Sequence, residues 1–294
     1  MHTTIGFIGL GMMGTGIASS LLAKGYALKV YNRTASKAKA LVEKGAMLAS
    51  SPAKVATAGG TILSMVADDR ALEEVANDEL IAALAPGGLH ISLSTVSPGA
   101  SKKLAQMHAA KGVAFLSSPV FGRPDAAASA KLVVCVSGPA EAQERARPIF
   151  EAIGQKTFDF GPEIGAANVV KLAGNFMLTA AVEAMAEASA LAEKNGVPRA
   201  ALLNMLTSTL FNCPIYKGYG QHIIDADFDK VAFAIPLILK DMHLAQQTAA
   251  SSRAPMPMVN LLCDRYLTLI ATGREKLDSA ALALGAAENA GLKW

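Results

Sequence analysis

With 294 residues, 52% of them hydrophobic and 17% charged, the chain is long enough to bury one large or two medium cores and too apolar to be disordered. Its net charge of +3, from 27 basic and 24 acidic residues with no basic block, speaks against a nucleic-acid partner. Cys135, Cys213 and Cys263 are odd in number and widely spaced, with no CxxC or Cys/His ligand spacing, so they suit free thiols in a reducing cytosol.

The chain opens on a strand, a glycine turn, a helix and a second strand. Ile5-Gly6-Phe7-Ile8 reads as a buried parallel strand. Gly9-Leu10-Gly11-Met12-Met13-Gly14 follows at once and starts an apolar-periodic helix that ends near Lys24-Gly25. Ala27 to Tyr31 supplies the next strand and closes a βαβ unit. In such a unit the first glycine allows the tight turn, the second admits a pyrophosphate, and the third lets helix pack on strand. The helix N-terminus then offers N–H groups and a positive dipole end to phosphates. This predicts dinucleotide binding; the alternative is a glycine-rich turn of some other α/β protein. Met12 and Met13 sit where they would pad the cofactor.

The tip of the second strand selects the dinucleotide. An Asp or Glu there would bond a ribose 2′-OH, as in NAD-preferring proteins. This chain has Asn32-Arg33-Thr34, with Lys37 one helical turn on. A guanidinium fork bonds a 2′-phosphate that a carboxylate would repel, so NADP(H) is the expected cofactor. Arg33 as a solvated surface arginine is the competing reading. Residues 3–23 carry no charge, but they lack a basic leader and hold the glycines of the turn, so no membrane span is expected there.

The alternation continues. Thr61 to Val66, Leu89 to Leu93, Val113 to Leu116 and Lys131 to Val136 read as strands, with a short strand at Lys156 to Phe160 before Gly161-Pro162. Helices over Lys102 to Lys111 and Ala140 to Ala152 fill gaps, predicting an α/β, doubly wound, mostly parallel sheet. Ligands of such sheets bind beyond the carboxyl ends of the strands. These ends place Met65, Val66, Ala67, Ser94 and Thr95 near a nicotinamide. Ser97-Pro98 also reads as a helix N-cap with Pro at the first position. His2, His90, His108, His222 and His243 show no metal-ligand spacing, and no metal is expected; His90, inside a strand, reads as a satisfied core histidine.

From Gly165 the pattern is all-α. Residues 165–195 form one proline-free helical run of about 45 Å. Helices near 198–210, 229–250 and 257–272 follow, with turn signals at Asn212-Cys213-Pro214 and Gly218-Tyr219-Gly220. The expected domains are therefore 1–162 and 163–294. Lys171 and Asn175, at i and i+4, share a face of the long helix, and Lys171 faces either solvent or a site. Tyr216, Tyr219 and Phe233 fit a cleft wall and helix packing equally well.

Four segments together resemble the β-hydroxyacid dehydrogenase family, relatives of the 6-phosphogluconate dehydrogenases: GFIGLGMMG, STVSP, GAANVVKLAGN at 165–175, and Lys240-Asp241-Met242. The likeness covers nearly the whole chain. It implies a Rossmann domain and an all-α domain joined by a long helix; the apolar helices of the all-α half suggest that it serves substrate and dimerisation. It also implies Lys171 as catalytic acid/base, Asn175 holding substrate, and Lys240 near the nicotinamide. Imine reductases, a related group, usually carry Asp or Tyr at the position of Lys171, so the lysine favours carbonyl reduction.

The substrate loop departs from the family's usual Asp-Ala-Pro-Val-Ser-Gly-Gly and reads Ser117-Ser118-Pro119-Val120-Phe121-Gly122-Arg123. Arg123 is either a bidentate clamp for a carboxylate, phosphonate or phosphate, or an exposed loop arginine; Phe121 narrows or shields the pocket. Substrate contacts are expected from Ser94, Phe121, Gly122, Arg123, Lys171, Asn175 and Phe233. The expectation is a cytoplasmic, homodimeric NADP(H)-dependent oxidoreductase of a small carbonyl compound with an anionic head: a semialdehyde, oxo acid or oxoalkyl phosphonate. An imine reductase is the alternative enzyme, and a non-catalytic NADP-binding sensor the alternative from another class.

Overall fold

A computed structural model describes residues 4–294. Two compact units divide inside one long helix, the first ending at Lys171 and the second beginning at Leu172.

In the first unit the elements run β1 (Ile5–Ile8), α1 (Met12–Ala23), β2 (Leu28–Tyr31), α2 (Lys39–Val42), β3 (Met47–Leu48), β4 (Thr61–Ser64), α3 (Asp69–Val75), α4 (Asp78–Leu84), β5 (Leu89–Ser92), α5 (Pro98–Ala109) and β6 (Ala114–Ser117). Then come β7 (Val120–Phe121), α6 (Pro124–Ala128), β8 (Leu132–Val136), α7 (Ala140–Ile153), β9 (Gly154–Asp159) and α8 (Ala166–Lys194).

Six strands pair in the order β3-β2-β1-β4-β5-β6, all parallel. The ladder aligns Ile8 with Tyr31 and Ser64, Ser64 with Ser92, and Ser92 with Ser117, so these strands end in one row. Strand order reverses beside β1, which opens the crevice where ligands bind in open α/β sheets. Alternate side chains enter separate cores on the two faces: Phe7, Leu63 and Leu116 join one, Ile8, Ile62 and Phe115 the other.

The expected single sheet is two sheets. β7-β8-β9 stand apart, with β7 antiparallel to β8 and β9 parallel to it. The chain doubles back after β6, where Ser117 and Ser137 exchange hydrogen bonds of 3.1 and 2.9 Å, so β8 cannot extend the parallel ladder.

The second unit holds the rest of α8, α9 (Arg199–Ser208), α10 (Pro214–Asp225), α11 (Ile235–Ser252), α12 (Pro257–Ala271) and α13 (Leu282–Asn289). It is helical around Val182, Ile238, Met242, Leu262 and Tyr266. Two expectations are corrected here. Gly218-Tyr219-Gly220 is no turn but lies inside α10, because Pro214 starts that helix and Tyr219 and Ile223 bury its inner face. That burial outweighs the roughly 1 kcal/mol that a helical glycine costs. Residues 229–234 are not helical either. Asp278 takes the N–H groups of Ala232 and Phe233 at 2.9 and 3.0 Å, and α11 begins only with Pro236 in its first turn. By length and composition alone α8 would cross a membrane; 44% of its most apolar window is buried inside the protein.

Candidate active site

The glycine turn has the form its sequence requires. Gly9 adopts φ +96°, and a Cβ there would strike Met65 O. A Cβ on Gly14 would strike Gly9 O, so helix and strand touch through this residue. At Gly11 a Cβ would meet nothing within 4 Å. The turn is thus tight where the fold needs closeness and open where a ligand's backbone would lie. Gly11 is also the N-cap of α1, with no side-chain cap and no acidic residue in the first turn. Its free N–H groups and dipole end fit a pyrophosphate.

The β2 tip is laced to this turn. Leu10 N–H donates to Asn32 Oδ1 at 2.9 Å, and Asn32 Nδ2 donates to Thr34 O at 3.0 Å. The Asn32 side chain therefore shapes the cradle, while Arg33, Thr34 and Lys37 stand exposed around its rim. Met12 is exposed and Met13 packs against the core beneath.

At the neighbouring strand ends Met65, Val66 and Thr95 are half-buried and Ala67 is exposed. Ser94, expected among the substrate contacts, is fully buried. Its hydroxyl accepts from Val66 N–H at 2.9 Å and donates to Ser64 O at 3.4 Å, which pins β4 to β5. Ser97 caps α5 as expected, accepting from Ala100 N–H at 3.0 Å, with Pro98 at the first position. Asp69, which sequence reasoning missed, takes the Ser97 N–H and hydroxyl at 2.8 and 2.5 Å.

The start of α8 is fixed to this rim. Ala167 N–H donates to Ser137 Oγ at 3.1 Å, and Asn168 Nδ2 donates to Val96 O at 3.2 Å. Lys171 follows one turn later, only 8% exposed, with Nζ 4.1 Å from the centre of the Phe121 ring. Gly122, at φ +139°, leaves no room for a Cβ, which would lie 2.6 Å from Leu132 Cδ2. Arg123 is half-buried at the N-cap of α6.

Beneath the rim His90 is a core histidine, as its strand position predicts. It contacts Ser64 Oγ through Nε2 at 2.8 Å and His108 Nε2 through Nδ1 at 3.0 Å. Burial, and then the neighbouring His108, hold His90 well below the usual imidazole range; burial lowers His108 against the pull of Leu104 O. Among the described residues no group of three His, Cys, Asp or Glu side chains is placed to hold a metal.

In the helical unit Asn175, 2% exposed, donates from Nδ2 to Asp241 Oδ2 at 2.5 Å. Asp241 is itself 3% exposed and pairs through Oδ1 with Lys240 Nζ at 2.6 Å. The sequence singled out Asn175 and Lys240 but gave no role to the carboxylate that joins them. Phe233 is half-buried against the helical core, and Asp278 holds its backbone. Tyr219 is core; Tyr216 stacks on Phe211 at 4.7 Å between centroids.

A family model described as the NAD binding domain of 6-phosphogluconate dehydrogenase matches residues 4–161. A second, described as NAD-binding of NADP-dependent 3-hydroxyisobutyrate dehydrogenase, matches residues 165–284. The chain belongs to the β-hydroxyacid dehydrogenase family. It is 41% identical to the oxidoreductase YfjR of Bacillus subtilis over 95% of this chain and 98% of that protein. It is 33% identical to the NAD-dependent L-serine dehydrogenase of Pseudomonas aeruginosa over 93% of this chain and 94% of that one. The solved 3-hydroxyisobutyrate dehydrogenase of Mycobacterium tuberculosis with L-serine superposes with a TM-score of 0.86 at 28% identity, over 97% of this chain and 99% of that chain.

As a β-hydroxyacid dehydrogenase the protein is an oxidoreductase acting on CH–OH and C=O groups with a nicotinamide dinucleotide. The glycine turn and the N-terminus of α1 lie within the stretch that the cofactor-domain model matches.

Proposed function

We propose that this protein is a reversible NADP(H)-dependent reductase of a small carbonyl compound with an anionic head, and that Lys171 is its acid/base. The observation that carries the reading is a lysine 8% exposed on a helix whose first turn is bonded to Val96, beyond β5 of the parallel sheet, and to Ser137, beyond β8 of the small one. A buried ammonium is costly unless it has work or partners there.

The bound nicotinamide supplies or accepts the hydride. The residues of the chain do the rest. Lys171 hydrogen-bonds the carbonyl oxygen, stabilises the charge that grows on it and gives up a proton; in the oxidation direction the neutral amine takes the proton back. Asn175, held by Asp241, positions the substrate. Arg33 and Lys37, exposed at the β2 tip where no carboxylate stands, support a 2′-phosphate and therefore NADP(H) over NAD(H). Arg123 clamps the anionic head, a carboxylate, phosphonate or phosphate. Residues 1–162 serve the cofactor and 163–294 the substrate and the dimer. Met177 and Leu191, each 68% exposed along α8, suit burial against a second copy.

Lys171→Ala is the test. With NADPH and a panel of semialdehydes, oxo acids, oxoalkyl phosphonates and cyclic imines, carbonyl turnover should fall by about a hundredfold or more while NADPH affinity stays. Unchanged turnover refutes the acid/base role, and turnover of imines alone moves the protein to the imine reductases. Arg33→Ala should weaken NADPH by at least about tenfold and NADH little; equal losses refute the cofactor preference.

A further inference from the structure

The Lys171 ammonium lies over the face of an aromatic ring, with Nζ 4.1 Å from the centroid of Phe121. A ring face attracts a cation at this distance, and the attraction grows where water is excluded, as it is around a lysine 8% exposed. Backbone pairing fixes the ring. Phe121 ends β7 and stands opposite Val133 in the antiparallel ladder, so Phe121, Val133 and Cys135 share one face of the small sheet. Gly122 then turns at φ +139°, close enough to Leu132 that a Cβ would lie 2.6 Å from its Cδ2. Cys135 registers the ammonium from below: burial pushes its thiol up, and the charge of Lys171 pulls it back down.

We propose that Phe121 is a positioning and specificity-determining residue: its ring holds the Lys171 ammonium over the β7–β8 face and presents the substrate with an uncharged wall beside the acid. The negative face of an aromatic ring attracts the cation and repels anions. The carbonyl compound therefore reaches Nζ with an apolar substituent against Phe121 and its anionic head turned away. This rests on the reading of Lys171 as the acid.

The test compares Phe121→Leu, Phe121→Tyr and a Phe121 whose ring is pentafluorinated, which keeps the shape and reverses the quadrupole. One readout is the pH profile of kcat/KM for carbonyl reduction. The other needs no cofactor: titration of Lys171 by NMR of 13Cε-labelled lysine, its resonance identified by loss in Lys171→Met. In Phe121→Leu both the alkaline limb and the titration should move to lower pH by roughly half a unit to one unit, with kcat falling more than KM changes. The fluorinated ring should move both at least as far, and Phe121→Tyr should behave as wild type. Folded Phe121→Leu and fluorinated proteins whose Lys171 titration does not move would overturn the proposal. A titration that moves while the rate limb stays supports the ring's hold and overturns the acid role of Lys171 instead.

Discussion

The paired histidines of the sheet core make the protein's stability fall in mild acid. Their protons are fixed by their partners. Leu104 O only accepts, so His108 Nδ1, 2.7 Å away, carries a hydrogen and its Nε2 is bare. His90 must then donate from Nδ1 to that nitrogen at 3.0 Å and accept the Ser64 hydroxyl at Nε2. The chain is complete with both rings neutral, and both rings are buried beside Phe115. In the unfolded chain each imidazole takes up a proton near pH 6.5. In the folded chain burial lowers both. Below about pH 6.5 the unfolded state binds more protons, so stability is fully present above that pH and lost as pH falls towards the folded values. Each ring contributes a slope of about 1.4 kcal/mol per pH unit, and the pair about 2.7 while both stay neutral. The check is denaturant unfolding across pH 7.5 to 5 for wild type and His108→Gln. The glutamine amide still donates to Leu104 O and accepts from His90, but it does not titrate. Its slope below pH 6.5 should be shallower by about 1.4 kcal/mol per pH unit. Equal slopes would mean that the folded protein accepts the proton without penalty, and the reasoning would fail.

The glycine turn separates packing from ligand binding. Gly11→Ala places a methyl where nothing lies within 4 Å, so the melting temperature should hold or rise slightly while dinucleotide affinity, read by NADPH fluorescence, falls at least about tenfold. Gly14→Ala drives a methyl into Gly9 O and should lose both affinity and stability; a stable, tight-binding Gly14→Ala protein would contradict this account of the turn. Asp278→Ala strips the acceptor from Ala232, Phe233 and Ala280 N–H groups, bonded at 2.9, 3.0 and 3.0 Å in a buried place. Chemical denaturation should show a loss of about 3 kcal/mol or more, and a loss under about 1 kcal/mol would show that water replaces the carboxylate.

What the sequence revealed and what it hid divide by range. The glycine turn, the long helix, the Ser97 cap and the buried His90 are local: spacing, a breaker or an apolar neighbourhood within a few residues decides each. The three carboxylates that organise the site regions are not. Asp69, Asp241 and Asp278 are as visible in the sequence as any aspartate, but their partners Ser97, Asn175 and Phe233 lie 28, 66 and 45 residues away. Two-residue strands such as β7 are hidden for a related reason: they are too short to show a period, and β8 supplies their pairing. α10 is hidden because its glycines contradict the burial of Tyr219 and Ile223 that stabilises it. Phe121 joins both classes. Its sequence marks an unusual loop, whereas its ring becomes chemically meaningful only once β8 holds it and α8 brings Lys171 over it. The reaction class therefore follows from local motifs. If Phe121 acts as proposed, substrate choice within that class rests on contacts such as this one, made between segments that no local pattern connects.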